Sequence, residues 1–310
     1  MTDFINDFSK EIYEQTYKYG DENINETMLR IAKDLASCEE NPEYWCDEFV
    51  KALENFKFVP GGRIISNAGL NLKGTTYINC YVSGFAGEDQ DSMEGIMEAL
   101  KRQALILKSE GGYGFCSDVM RPRGAFVHGI ANDSPGSVKM LEMWDTQSDV
   151  ITAGSGQKNN RKDSKKKIRK GAQMVTKSCL HPDIEEFITA KQTPGRLTKF
   201  NMSVLITDEF MDAVKNHKPW NLIFPDYDAH KEEYKKYWDG DFKGWEKRGL
   251  TFKVYKTYED ANELWDLIMQ STYSRNEPGV LFVDTINKMN NLAYIEHINA
   301  TNPCVVGDTL

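Results

Sequence analysis

From residue 58 onward, short runs rich in β-branched and aromatic residues alternate with amphipathic helical stretches, and this alternation restricts the fold more than any other feature of the chain. The stretch 91–108 is the clearest helix, with Met93, Ile96, Met97, Leu100, Ala104 and Leu107 on one side. Further helices are expected at 138–151, after His181-Pro182-Asp183, and around Ala261, Leu264, Trp265 and Ile268. Strands are expected at 77–82, 113–117, 172–176, 201–206 and 280–283. A helix between successive strands returns the chain to the same end of the sheet, so the pairing should be largely parallel and the fold α/β. The sequence contains no internal repeat.

Residues 1–57 read differently, as helices alone. Ile12, Tyr13 and Tyr17 share a face, as do Met28, Ile31, Ala32 and Leu35, and then Trp45, Phe49, Ala52 and Phe56. Gly20-Asp21 and Asn41-Pro42 punctuate them. This is the pattern of a small helical cap ahead of the main domain. Asp91 with Glu94 resembles a capping box at the start of the 91–108 helix. Two stretches look like surface insertions. Residues 158–170 carry eight basic residues and one acid, and read as a solvated loop. Residues 227–249 are rich in Lys, Tyr, Trp and Asp, with little periodicity beyond a single helix.

Composition narrows the function classes. Hydrophobic residues make up 40% of the 310 and charged residues 27%, as in a soluble globular protein. No apolar run is long enough to span a bilayer, and no secretory signal is visible, so a cytoplasmic location without membrane contact is expected. A net charge of −9 argues against direct nucleic-acid binding while leaving room for a nucleotide pocket. None of the six cysteines (Cys38, Cys46, Cys80, Cys116, Cys179, Cys304) forms a Cys-x-x-Cys pair, and His181 has no partner at ligand spacing, so no metal site is expected.

Four segments carry residues suited to chemistry. Pro60-Gly61-Gly62-Arg63-Ile64 leads to Asn79-Cys80, where glycines permit a close backbone approach and the cysteine, taken alone, reads as a small buried hydrophobe. Glu110-Gly111-Gly112-Tyr113-Gly114-Phe115, followed by Arg121-Pro122-Arg123-Gly124, could expose backbone N–H groups to anionic or sugar oxygens, or could form only a tight helix-to-strand turn. Its spacing does not fit a dinucleotide-binding fingerprint. Arg169-Lys170-Gly171-Ala172-Gln173-Met174 precedes His181 through Phe187, where Asp183, Glu185 and Glu186 read as acids favoured by the positive end of a helix dipole. Last, Asn276-Glu277-Pro278-Gly279 runs on to Ala300-Thr301-Asn302-Pro303-Cys304, where Asn-Pro would present a thiol on a stiff loop.

In this order, with Asn201-Met202-Ser203-Val204 between the third and the last, the segments resemble the catalytic subunits of ribonucleotide reductases, in particular the adenosylcobalamin-dependent (class II) branch. The resemblance covers nearly the whole chain and is most specific from Glu277-Pro278-Gly279 to Asn302-Pro303-Cys304. It implies a helical cap (1–57) followed by the first half of a ten-stranded α/β barrel (58–303), an incomplete barrel ending at the root of the finger loop. It implies reduction of the ribose 2′-hydroxyl through a thiyl radical. Cys304 matches the radical cysteine, Asn302 the asparagine that binds substrate hydroxyls, and Cys80 one of two cysteines that reduce the intermediate and become a disulfide. Asn79, Gly111 and Gly112 match further substrate-binding positions. Asp91, Ser92, Met93 and Arg121 match the site of a deoxynucleoside triphosphate effector, and residues 169–177 the flexible loop that relays its identity. The implied partners are a ribonucleotide, the C-terminal half of the reductase, a second copy in a homodimer formed through the effector-site helices, and a thiol reductant such as thioredoxin. The implied cofactor is adenosylcobalamin.

The family motif places a general-base glutamate two residues after the radical cysteine, but Val306 stands there. Cys304-Val305-Val306-Gly307-Asp308-Thr309-Leu310 resembles instead the first residues of an intein, whose leading cysteine attacks the preceding carbonyl to form a thioester. Residues 304–310 are therefore expected to be either an intein start, making the chain a splicing precursor, or a divergent tail. Cys304 is either the intein nucleophile or the radical cysteine.

Overall fold

The computed structural model describes residues 2–72, 74–153 and 171–303. The chain divides into two compact units, one of residues 1–79, 106–111 and 152–171, the other of residues 80–105, 112–151 and 172–310. Cys304, the 304–310 segment and the basic 158–170 stretch lie outside the described residues.

The first unit is helical. Asn23 and Glu26 form a capping box on the helix Ile24–Ala36, and Asn41, followed by Pro42, caps Pro42–Leu53. Met28, Ile31 and Ala32 pack with Leu53 and Ala68. The inward face of Pro42–Leu53 is Cys46, Phe49, Val50 and Leu53, with Phe56 packed on the same core, whereas Trp45 and Ala52 of the expected row are exposed. The helix stops at Leu53, and Asn55 and Phe56 both adopt left-handed conformations (φ 56°).

Among the described residues of the second unit there are nine strands: β1 (Cys80–Val82), β2 (Gly112–Cys116), β3 (Phe126–Val127), β4 (Asn132–Asp133), β5 (Gln173–Ser178), β6 (Phe200–Ile206), β7 (Trp220–Pro225), β8 (Phe252–Tyr258) and β9 (Gly279–Phe282). Five of them form one sheet in the order β1-β2-β5-β6-β9, every pair parallel. The order follows the sequence and never reverses. Right-handed crossovers in one direction set all the connecting helices on the same face, which leaves the other face to become the inside of a barrel. The sheet is open, as half a barrel must be. β1 is shorter than the expected 77–82 strand.

The helix-covered face carries Tyr113, Phe115 and Phe200, all 1% exposed or less. Phe115 stacks on Trp144 of the helix Ser137–Thr152 at 5.3 Å, and the Tyr113 hydroxyl donates to the Ala99 carbonyl of Met93–Lys108. Gln173–Ser178 is buried throughout as a central strand, so this part of the 169–177 segment is not a flexible loop, and residues 169–170 are outside the described set.

The 227–249 stretch is not a surface insertion. Tyr234, Trp238, Phe242 and Trp245 are 7% exposed or less, and their rings pack edge to face beneath the antiparallel pair β7–β8. Trp238 and Trp245 donate their indole N–H groups to the carbonyls of Val119 and Thr251. The stretch is a second aromatic core, and its lysines face outward. Among the described residues, no helix is long and apolar enough to cross a membrane.

Candidate active site on the inner face of the sheet

Alternate residues of a strand face opposite sides, and laterally paired residues face the same side. The register therefore defines one inward row: Cys80 on β1; Gly112, Gly114 and Cys116 on β2; Met174 and Thr176 on β5; Asn201 and Ser203 on β6; Gly279 and Leu281 on β9. The segment 299–303 returns across this row. Asn201 Nδ2 donates to the Pro303 carbonyl at 3.1 Å, and Thr176 Oγ1 donates to the Asn299 carbonyl at 2.8 Å. Ala300 packs with Cys116, Leu205, Leu281 and Val283.

The two β2 glycines make this crossing feasible. A Cβ on Gly114 would lie 1.9 Å from the Thr301 carbonyl oxygen and 3.2 Å from the Asn302 Cα. A Cβ on Gly112 would lie 2.8 Å from both the Cys80 Sγ and the Pro303 Cγ. Cys80, Gly112, Asn302 and Pro303, which the sequence placed in one hollow, are thus brought to one patch of the sheet. Gly114, Thr176 and Asn201 were not singled out as site residues. The alternation Gly112-Tyr113-Gly114 within a strand was the available signal, because period two strips one face of side chains.

Asn79, Gly111, Arg63 and Glu110 belong to the helical unit. Asn79 Oδ1 accepts from the Arg63 N–H at 3.0 Å, and a Cβ on Gly61 would lie 3.1 Å from Asn79 Nδ2, so the Pro-Gly-Gly turn allows this approach. Arg63 Nη1 meets Glu110 Oε2 at 3.0 Å in a buried ion pair. The Gly111 N–H bonds to the Ile106 carbonyl after Glu110 at φ 68°, which makes Glu110-Gly111 the tight turn that ends the helix. Gly111 and Gly112 thus have different jobs: the first closes a helix and the second clears a sheet.

The residues matched to an effector site are partly assembled. Asp91 Oδ1 accepts from the Arg121 N–H at 3.0 Å, and Oδ2 accepts from Arg121 Nε at 2.5 Å and from the Tyr234 hydroxyl at 2.8 Å. Burial pushes the Asp91 carboxyl up, against the pull of the Arg121 guanidinium. Asp91 does not cap the helix Met93–Lys108. Ser92 does, its hydroxyl accepting from the Gly95 N–H at 3.1 Å, while Met93 is 55% exposed. Ser92→Ala is expected to cost about 1 kcal/mol of stability in urea unfolding; an unchanged midpoint would show that the cap contributes nothing.

The acids after His181 bridge elements and do more than favour a helix dipole. Asp183 accepts from the Arg123 N–H, the Ser137 N–H and the Ser137 hydroxyl at 2.7–2.9 Å. Glu186 pairs with Arg123 and Arg196, and Glu185 with Lys256. His181 is fully buried, with Nε2 donating to the Met120 carbonyl and Nδ1 accepting from the Asp183 N–H, both at 3.0 Å. Burial raises the thiol of Cys116 well above the usual range and that of Cys179 to about 12, so neither is a reactive thiolate. Among the described residues, no cluster of three or more His, Cys, Asp or Glu side chains could hold a metal ion.

Residues 79–305 match the family described as ribonucleotide reductase, barrel domain, and residues 4–73 match ribonucleotide reductase, all-alpha domain. The chain belongs to the ribonucleotide reductase large-subunit family. It is 30% identical over 262 residues to the vitamin B12-dependent ribonucleoside-diphosphate reductase of Thermoplasma acidophilum, an alignment that covers 84% of this chain and 28% of that protein. It is 29% identical over 289 residues to the enzyme of the same name from Mycobacterium tuberculosis, covering 91% and 36%. With the ribonucleoside-diphosphate reductase subunit alpha of Helicobacter pylori it shares 27% over 285 residues, covering 89% and 33%. The chain thus spans about a third of the length of these relatives.

Proposed function

We propose that this chain is the N-terminal part of a reductase that converts ribonucleotides to deoxyribonucleotides, and that it acts once joined to the remainder of its barrel. The observation that carries the reading is the shared patch of Cys80, Gly112 and the 301–303 segment. In the proposed reaction, the sulfur at position 304 takes the 3′ hydrogen atom of the ribose as a thiyl radical. The 2′-hydroxyl then leaves as water. Cys80 and a second cysteine outside this chain supply two electrons and two protons and become a disulfide, and the 3′ hydrogen returns. Asn302, Asn79, Gly111 and Gly112 bind the substrate, and Asp91, Ser92, Met93 and Arg121 a deoxynucleoside triphosphate. A thioredoxin-like thiol reductant reopens the disulfide, and a second copy pairs through the effector-site helices.

Two of the relatives named above are vitamin B12-dependent, which supports adenosylcobalamin as the radical source. The cavities along the sheet unit at Arg121 and at Asp118, about 70 and 40 Å³, admit a few waters and are far too small for a corrin. Neither of these two cavities is its site, and no step assigned to the described residues runs through the cofactor.

The domain division at 57 and 303 belongs to this proposal, as does a second reading of the terminal segment. Val306 in place of a glutamate, within Cys304-Val305-Val306-Gly307-Asp308-Thr309, favours a splicing precursor whose Cys304 forms a thioester with Pro303. The test is to co-express the chain with the product of the adjoining downstream reading frame, weigh the products, and assay cytidine diphosphate and triphosphate reduction with adenosylcobalamin and a dithiol. A ligated protein that makes deoxynucleotide, beside an inactive 310-residue chain, is the expected result. A ligated protein that makes none would overturn the reductase reading, and an absence of ligation the splicing one.

A further inference from the structure

The aromatic segment between β7 and β8 has no part in the reaction above, yet it reaches the pair that the effector proposal rests on. Tyr234 is 2% exposed, and its hydroxyl donates to Asp91 Oδ2 at 2.8 Å. The Asp91 side chain is itself 2% exposed, and its three donors are Tyr234 and two N–H groups of Arg121. Of these, only the bond to Oδ2 from Nε engages the Arg121 guanidinium. Its two Nη atoms have no hydrogen-bond partner among the described residues, and Arg121 lines the cavity of about 70 Å³ together with His128, Tyr227, Lys253 and Tyr255. The Tyr227 ring lies 5.6 Å from the guanidinium carbon and packs edge-on against Tyr234 at 5.1 Å. The backbone adds a second tie, the Asp89 N–H donating to the Lys235 carbonyl at 2.6 Å.

We propose that Tyr234 is a positioning residue for a nucleoside triphosphate at Arg121: it anchors Asp91, Asp91 fixes the Nε edge of Arg121, and the Nη edge is thereby held toward the cavity, ready for a phosphate. This rests on the reading that Asp91 and Arg121 belong to an effector site. The chemistry demands a tyrosine here. A buried carboxylate is held by the donors that surround it, and a phenylalanine would fill the same space while withdrawing one of three. Burial and the neighbouring Asp91 keep the hydroxyl protonated far above the usual range of a phenol, so it remains a donor at every working pH. An arginine released from its carboxylate samples several rotamers, and binding a phosphate then costs the entropy of choosing one.

The experiment titrates dATP, dGTP and dTTP separately into the full 310-residue chain by calorimetry and follows the Arg121 side-chain Nε–H resonance by nitrogen-15 NMR. Tyr234→Phe is expected to weaken binding about tenfold and to shift the Arg121 resonance. Tyr237→Phe, in the same helix with its ring against Arg248 at 4.4 Å, should do neither. Asp91→Asn should reproduce the Tyr234→Phe effect, and the double variant should be no worse than Asp91→Asn alone, because both cut the same link. Additive losses in the double variant would mean that Tyr234 acts by some other route and would overturn the proposal. If the unaltered chain binds a deoxynucleotide and Tyr234→Phe binds it equally well, the positioning role falls while the effector reading stands. If the unaltered chain binds none of the three, the effector reading falls and the proposal with it.

Discussion

Alanine at Gly114 is expected to lift the 299–303 segment off the sheet. The added methyl would sit 1.9 Å from the Thr301 carbonyl oxygen, well inside contact distance, and its neighbour is backbone with no rotamer to change. β2 cannot retreat, because it is paired on both sides, to β1 and β5. The loop must therefore give way, losing the bonds from Asn201 and Thr176. Overpacking of this kind costs about 3 kcal/mol at the upper end of its range. Proteolysis within residues 299–302 should accordingly accelerate by about a hundredfold, with the rest of the sheet little changed. Gly129→Ala, where a Cβ would meet nothing within 4 Å, is the control. Unchanged protection of 299–302 in Gly114→Ala would mean that the segment does not rest on β2.

The second large effect is acid sensitivity centred on His181. Burial, helped by the charge of Lys177, pulls its pKa from the usual 6.5 down to about 3. The hydrogen bonds give the same answer independently, since Nδ1 accepts from the Asp183 N–H and has no room for a proton. Between pH 6.5 and 3 the unfolded chain binds a proton at this site that the folded chain refuses, so stability falls as pH falls. The slope from this one group is about 1.4 kcal/mol per pH unit, or about 2–3 kcal/mol between pH 6 and 4. Asp183 acts in the same direction at lower pH. Against burial, which alone would raise it, its folded pKa is depressed by the charge of Lys177 and the bonds from Ser137 and Arg123, so its contribution is present above the ordinary carboxylate range and lost as pH falls below it. Urea midpoints from pH 4 to 7 should show the slope, and His181→Gln, which keeps a donor and an acceptor but cannot titrate, should flatten it by one proton. An equal slope in both proteins would remove His181 from the explanation.

The parallel sheet was legible because each of its five strands is followed by a helix-forming stretch before the next, even though β3–β4 and β7–β8 interrupt the alternation. The break at Asn41-Pro42 was legible for a similarly local reason. What the sequence concealed was tertiary. Tyr234, Trp238, Phe242 and Trp245 recur at nearly helical spacing, but Gly240 and the surrounding lysines made the stretch read as a solvated surface. Asp91 looked like a helix cap because a buried ion pair and a cap use the same residue type, and only the structure separates Asp91 from Ser92. At the candidate site, Cys80, Gly112 and Asn302 were found through resemblance, whereas Gly114 and Asn201 matter through a contact with a segment from the far end of the chain.

The sequential strand order sets a timetable. Each strand of the sheet pairs with the strand of the same sheet that precedes it in the sequence, so the sheet can lengthen as the polypeptide leaves the ribosome. The crossing over β2 obeys the opposite logic: Gly114 must stay uncovered until Thr301 has been synthesised, almost the whole chain later. The sheet is therefore built first and the crossing over Gly114 made last.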